Sequence, residues 1–108
     1  MGDRSHVKLY SELLAFLEEH GRSLIEYGSA ERGLAAGDAH AFVELLQTNH
    51  VPLLGIELWR ATDGGLELDI QEIWYSSHAD VTARYPDAWR YFNRVETGQG
   101  DVFADQFG

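Results

Sequence analysis

The side chains that could do chemistry in this chain are few and scattered. Five histidines, His6, His20, His40, His50 and His78, fall in separate stretches. Only His40 and Glu44, four apart in a helix-like segment, have the spacing of two metal ligands on one helix face. No third or fourth ligand accompanies them and the HExxH pattern is missing, so the pair reads as a histidine beside a helix carboxylate, with no metal or cofactor expected. Cysteine is absent, which removes thiol nucleophiles, thiolate metal sites and disulfides together. The stretch SSHAD, Ser76 to Asp80, collects Ser, His and Asp locally. Catalytic triads are assembled from separate segments, and no serine here sits in a GxSxG elbow. The stretch therefore reads as a turn in which Ser77 or Asp80 caps the following helix. The glycines of ATDGGLE match neither GxGxxG nor GxxxxGK[ST], so no phosphate cradle is expected. What remains is a set of carboxylates, Glu57, Glu67, Asp69 and Glu72, with the aromatics Trp59, Trp74 and Tyr75 among them.

The elements that must position these residues follow from periodicity. Leu9, Leu13, Phe16 and Leu17, with Tyr10 and Leu14, predict a helix over 7–20, with Ser5 as its N-cap and Gly21 just past its end. SLIEYG, Ser23 to Gly28, fits either a turn of helix or a small strand. A second helix is predicted over 38–48 on the stripe Ala39, Phe42, Val43, Leu45 and Leu46; Asn49 and His50 close it and Pro52 forbids its continuation. Two strands, 53–60 and 66–75, flank Asp63-Gly64-Gly65, a hairpin signal. Alternation puts Leu54, Ile56 and Leu58 on one face and Gly55, Glu57 and Trp59 on the other; Leu66, Leu68 and Ile70 oppose Glu67, Asp69 and Gln71. The pattern slips at Ile73, which predicts a bulge near Gln71-Glu72. Pro86 marks the first turn of a last helix running to Glu96, with Ala88, Tyr91, Phe92 and Val95 buried. The tail, with Val102, Phe103 and Phe107, reads as an edge strand or a loose cover. Together these predict an α+β fold in which helices pack on one face of a small antiparallel sheet.

At 108 residues the expectation is one domain, 1–108. An apolar fraction of 44% with 24% charged residues argues against disorder. No apolar run approaches the roughly 20 residues of a membrane span, the N-terminal stretch makes a poor signal peptide, and His6 stands where a myristoylation signal needs Ser or Thr. A cytoplasmic location is the resulting expectation. Eighteen acids against eight Lys and Arg give a net charge of −10, a field that repels nucleic acid and anionic lipid. It fits a basic protein partner, and it equally fits simple solubility.

On outward parity, Glu57, Trp59, Glu67, Asp69 and Glu72 make an acidic surface with an aromatic anchor, as protein interfaces do. The plainer alternative is Trp59 packed under a helix and the acids on a solvated face. A paired-carboxylate hydrolase built from the same acids is a further alternative.

The order GLAAGDAHAFVELLQTNHVPLLGIELWR, Gly33 to Arg60, then IWYSS, Ile73 to Ser77, then an aromatic-rich helix, resembles immunity protein family forty of bacterial polymorphic toxin systems. The matching positions are Leu34, Asp38, Ala39, Val51, Pro52, Leu54, Gly55, Glu57, Trp59, Trp74 and Tyr75. The chain departs from that pattern at Ile56-Glu57, where the family has Gly-Asp, and at Ala35-Ala36-Gly37, where it has a Thr or Ser cap. The resemblance implies a non-enzymatic inhibitor that occludes the active site of a cognate toxin domain. Glu57, Trp59, Glu67, Asp69, Glu72, Trp74 and Tyr75 are then the expected partner-binding residues. The toxin is expected to be basic, with no direct nucleic-acid or membrane contact by the inhibitor. An acidic nucleic-acid mimic is the other binding alternative.

Overall fold

The hairpin signalled by Asp63-Gly64 is the frame of the fold. The computed structural model describes residues 3–77 and 80–108. Strand β3, Leu53–Thr62, pairs antiparallel with β4, Gly65–Leu68, in the register Trp59↔Leu68, Arg60↔Glu67, Ala61↔Leu66 and Thr62↔Gly65. Gly65 has φ 128°, and a Cβ there would stand 2.3 Å from the Tyr27 hydroxyl, so both backbone and space demand glycine.

The predicted single strand 66–75 is in fact two short strands around a turn. After Leu68 the Asp69 carboxylate accepts the Gln71 N–H at 3.1 Å and starts one turn of 3₁₀ helix, Ile70–Glu72. This side-chain bond replaces ladder pairing, so the sequence slip is a turn rather than a bulge. The chain then rejoins β3 as β5, Trp74–Tyr75, opposite Ile56 and Gly55.

The tail is a full strand. β6, Val102–Phe107, pairs with β3 from Leu53 to Trp59, on the edge opposite β4 and β5. Outside β6 lies a short ribbon of β1, Arg22–Ser23, and β2, Arg32–Gly33. Leu34 exchanges two backbone hydrogen bonds of 2.7 Å with Phe103, fixing that ribbon along β6. SLIEYG contributes the last residue of β1 and a 3₁₀ turn, Ile25–Tyr27, so both of its readings hold in part.

Three helices, α1 (Asp3–His20), α2 (Ala36–Thr48) and α3 (Val81–Arg94), cover one face of the sheet. Leu13, Phe42, Val43, Leu46, Tyr85 and Phe92 meet Leu53, Ile56, Leu58 and Phe103 there. The fold is α+β, with the helices on one side. The opposite face is also covered: Leu24 and Tyr27 pack on Trp59, Leu66, Val102 and Ala104.

That second layer overturns part of the face assignment. Leu66 and Leu68 do not join Ile56 and Leu58; the register places them opposite Ala61 and Trp59, in the second layer. A pairing parity set at the turn moves a whole strand's side chains from one face to the other. Leu54 is ejected where the β3–β6 register shifts between Leu53 and Gly55, and it stays 43% exposed. Ser5 does not cap α1, which begins before it. α1 turns Leu13, Phe16 and Leu17 to the core and leaves Tyr10 and Leu14 outside. Pro86 lies inside α3 rather than in its first turn. The turn before it is held by the buried Tyr85, whose hydroxyl donates to the carbonyl oxygens of Leu46 and Val51. That tertiary anchoring outweighs the local cost of proline.

Candidate functional site

The register divides the seven expected partner-binding residues between two faces. Glu57, Trp59 and Tyr75 share the second-layer face with Gly55. Glu67 and Asp69 fall on the parity of Arg60 and Leu58, and Trp74 packs against the helix-side core. They do not form one surface. Three of the acids and aromatics have structural work instead. Asp69 pairs with Arg60 Nε at 3.1 Å as well as starting the 3₁₀ turn. Arg94 Nη2 stands 3.0 Å from Glu72 Oε2, a charge contact without hydrogen-bond alignment, and Tyr91 Oη donates to the Glu72 carbonyl. Trp59 is only 7% exposed, packed as the plainer alternative has it but under the Leu24–Tyr27 segment rather than one of the three helices, and Asp69 and Glu72 are ion-paired instead of on a solvated face. The Trp59 ring lies 6.4 Å from that of Tyr27. Tyr75 stays exposed and lies across Gly55, where a Cβ would stand 2.8 Å from its ring; this is the close approach that β3 glycine permits. Glu67 is exposed.

His20, His40 and His50 stand in separate surroundings. His40 packs edge-on against Phe92, 4.5 Å between centroids, and against Trp89. His20 rests on Phe16 with Asp38 3.9 Å away, and His50 takes a left-handed conformation, φ 57°, after α2. His78, the centre of SSHAD, lies outside the described residues; α3 starts directly after Asp80. Among the described residues no group of three or more His, Asp or Glu is placed to hold a metal ion.

A different set of acids converges at the β2–β6 edge. Asp105 stands on the parity of Phe103 and Phe107, facing the helices, and is 6% exposed. Neither of its carboxylate oxygens has a hydrogen-bond partner. Burial pushes its carboxyl well above the usual range, and the neighbouring Glu31 pushes it the same way. Glu31, half-buried just before β2, is raised by burial and by Glu57, with Gln106 working against both; its Oε2 also lacks a partner. Two clefts adjoin this group. One, of about 420 Å³, runs between the end of α1 and the β2–β6 edge, with Leu14, Leu17, Glu31, Asp105 and Phe107 in its walls. The other, of about 490 Å³, opens on the second-layer face over Tyr27, Glu57, Trp59 and Leu68. Glu31 and Gln106 line both. The Trp59 Nε1–H is a buried donor without a partner beside the second cleft.

No known protein family, curated protein or solved structure matches this chain. The site therefore rests on its own chemistry. Buried polar groups are normally hydrogen-bonded, because desolvation without a partner costs on the order of 1–3 kcal/mol. Here four side-chain atoms of Glu31, Trp59 and Asp105 depart from that rule around two clefts that share Glu31 and Gln106 in their walls. The three carboxylate oxygens suit a cationic, hydrogen-bond-donating group, whereas the Trp59 Nε1–H needs an acceptor. Only Glu57 and Trp59 of the expected residues belong to it. Glu31 and Asp105 were not anticipated, although one signal was present: in VFADQF an acid, Asp105, sits on the apolar parity between two phenylalanines.

Proposed function

We propose that the protein binds and inhibits a cognate bacterial toxin domain by occluding its active site, without turnover of its own. The observation that carries this reading is the acid cluster of Asp105, with neither oxygen partnered, and Glu31, with one oxygen unpartnered, with Glu57 and Trp59 adjoining, at two open clefts. It suits the basic active site of an enzyme that handles polyanions, and a net charge of −10 would speed the encounter. The resemblance to immunity protein family forty supports the same reading. Among the described residues no helix is long and apolar enough to cross a membrane, and such an inhibitor would act in the cytoplasm.

Titration calorimetry with the product of the neighbouring gene tests the proposal. A stable complex is expected, weakened by at least about tenfold, or 1.4 kcal/mol, in a folded Glu31→Gln, Glu57→Gln variant. No complex at micromolar concentration would reject it.

A second reading has a specific observation in its favour. Glu31, raised by burial, lies beside Glu57 at the second cleft, and two adjacent acids are what a paired-carboxylate hydrolase uses. If Glu31→Gln abolished protection of cells while the toxin bound neither form, the hydrolase reading would replace the inhibitor.

A further inference from the structure

The cleft between α1 and the β2–β6 edge has the form of a socket with a charged floor and an apolar wall. At the floor, Asp105 lines the cleft and is more than nine-tenths buried, and its two carboxylate oxygens, both shielded from solvent, have no hydrogen-bond partner. Glu31 Oε2, also unbonded, adjoins it. Along the wall, Leu14, exposed on α1, stands with Leu17 and Phe107. We propose that this socket receives one arginine side chain of the protein partner, its guanidinium forked onto Asp105 and flanked by Glu31, its methylenes along Leu14 and Leu17.

The chemistry discriminates among occupants. Two free oxygens on one carboxylate match the two parallel N–H groups of a guanidinium, whereas an ammonium meets them as a point charge. The apolar wall suits the stem of a long basic side chain, and the Phe107 ring gives the guanidinium plane a surface on which to stack. A bare metal ion lacks enough ligands, since among the described residues no acid or histidine group of the required number is present. Other charges line the socket: Glu18 of α1 adds to its negative potential, and Arg32 opposes it. Arg32, however, gives Nη1 to the Gly21 carbonyl at 3.2 Å, and a Cβ added at Gly21 would press on its side chain at 2.9 Å. Its guanidinium is thereby tied to the end of α1 instead of to Asp105. Glu57 reinforces Glu31 from the other cleft.

This inference rests on the inhibitor reading for the identity of the partner, but not for the existence of the socket. The probe is N-acetyl-arginine methylamide, titrated into the ¹⁵N-labelled full chain at about pH 7 and constant ionic strength. N-acetyl-lysine and N-acetyl-norleucine methylamides serve as controls. Saturable shifts are expected at the amides of Glu31, Arg32, Asp105 and Gln106, with half-saturation in the millimolar range. Lysine should bind several-fold more weakly, and norleucine should leave these amides unshifted. Asp105→Asn with Glu31→Gln should weaken arginine binding by at least tenfold while the spectrum stays folded, because each change replaces a carboxyl with an amide of nearly the same shape. Unsaturable shifts, equal binding by that variant, or equal response to norleucine would overturn the socket. If arginine binds as stated while the neighbouring gene's product does not, the socket stands and the toxin assignment falls. If the toxin binds wild type and the charge-neutral variant equally, the toxin assignment stands and the socket falls as its contact.

Discussion

Asp101 stands just before β6 and Asp105 lies within it, and both are buried, at 9% and 6% exposure. Their surroundings are opposite. Asp101 accepts the Ala61 N–H and the Gly98 N–H at 2.8 Å each, and Arg60 Nη1 at 3.2 Å. Burial alone would raise its carboxyl, but those donors outweigh burial and hold it below the usual range. Asp105 has no donor, and burial raises its carboxyl well above the range. The first acid ties the Gly98–Gly100 turn to β3 and completes the Arg60 cluster with Asp69. The second contributes nothing of that kind to the fold. Burial by itself therefore says little about an acid's role; the account of its donors separates a carboxylate that ties the fold together from one that does not.

Substitution should separate the two most sharply at Asp101. Asp101→Ala leaves Arg60 and two backbone amides short of an acceptor, so unfolding in urea should show a loss of about 2–4 kcal/mol. A loss near zero would mean that the Asp101 bonds are ornamental and the contrast false. Asp105→Leu should move stability the other way, by about 1–2 kcal/mol at neutral pH, because it replaces an unpartnered acid among apolar neighbours. A destabilised Asp105→Leu would instead assign Asp105 a structural part and weaken the socket.

The finest test is the sign of the pH dependence, limited for one group to about 1.4 kcal/mol per pH unit. For Asp105 the folded carboxyl is raised well above its ordinary value of about 3.8 by burial. Its contribution is fully present below that value and is lost as pH rises towards the folded one. The stability gap between wild type and Asp105→Asn should therefore move in favour of wild type on acidification. For Asp101 the folded carboxyl lies below 3.8. Its contribution is present above that value and is lost as pH falls through the folded one, so the wild-type advantage over Asp101→Asn should shrink only in acid. Urea titrations in pH steps compare the two curves, and parallel curves would remove the distinction.

Some of this was legible in the residues. Pro52 and Asp63-Gly64 fixed where a helix had to stop and a hairpin had to turn, because proline and turn glycines restrict the local backbone wherever they occur. The stripe Ala39, Phe42, Val43 and Leu46 marked the buried side of α2, and Gly55 marked a close approach. The clustering of Glu57 with Glu67 and Asp69 was not legible correctly. It depended on whether Trp59 pairs with Leu68, a one-residue choice of register that alternation alone leaves undetermined. Trp59 is buried because the Leu24–Tyr27 segment returns over the second face, and no local pattern in β3 announces that cover.

The sequence by itself determined the elements, the α+β class and the acidic charge, since these follow from period, turn chemistry and composition. Only the tertiary structure decided which acids come together. Glu31 and Asp105 meet because β2 docks on the outer edge of β6, joined through Leu34 and Phe103. That contact between distant parts of the chain exists only when both faces of the sheet are packed. Desolvation and unmet hydrogen bonding, the two properties that single these acids out, arise from that packing and are not carried by any residue alone.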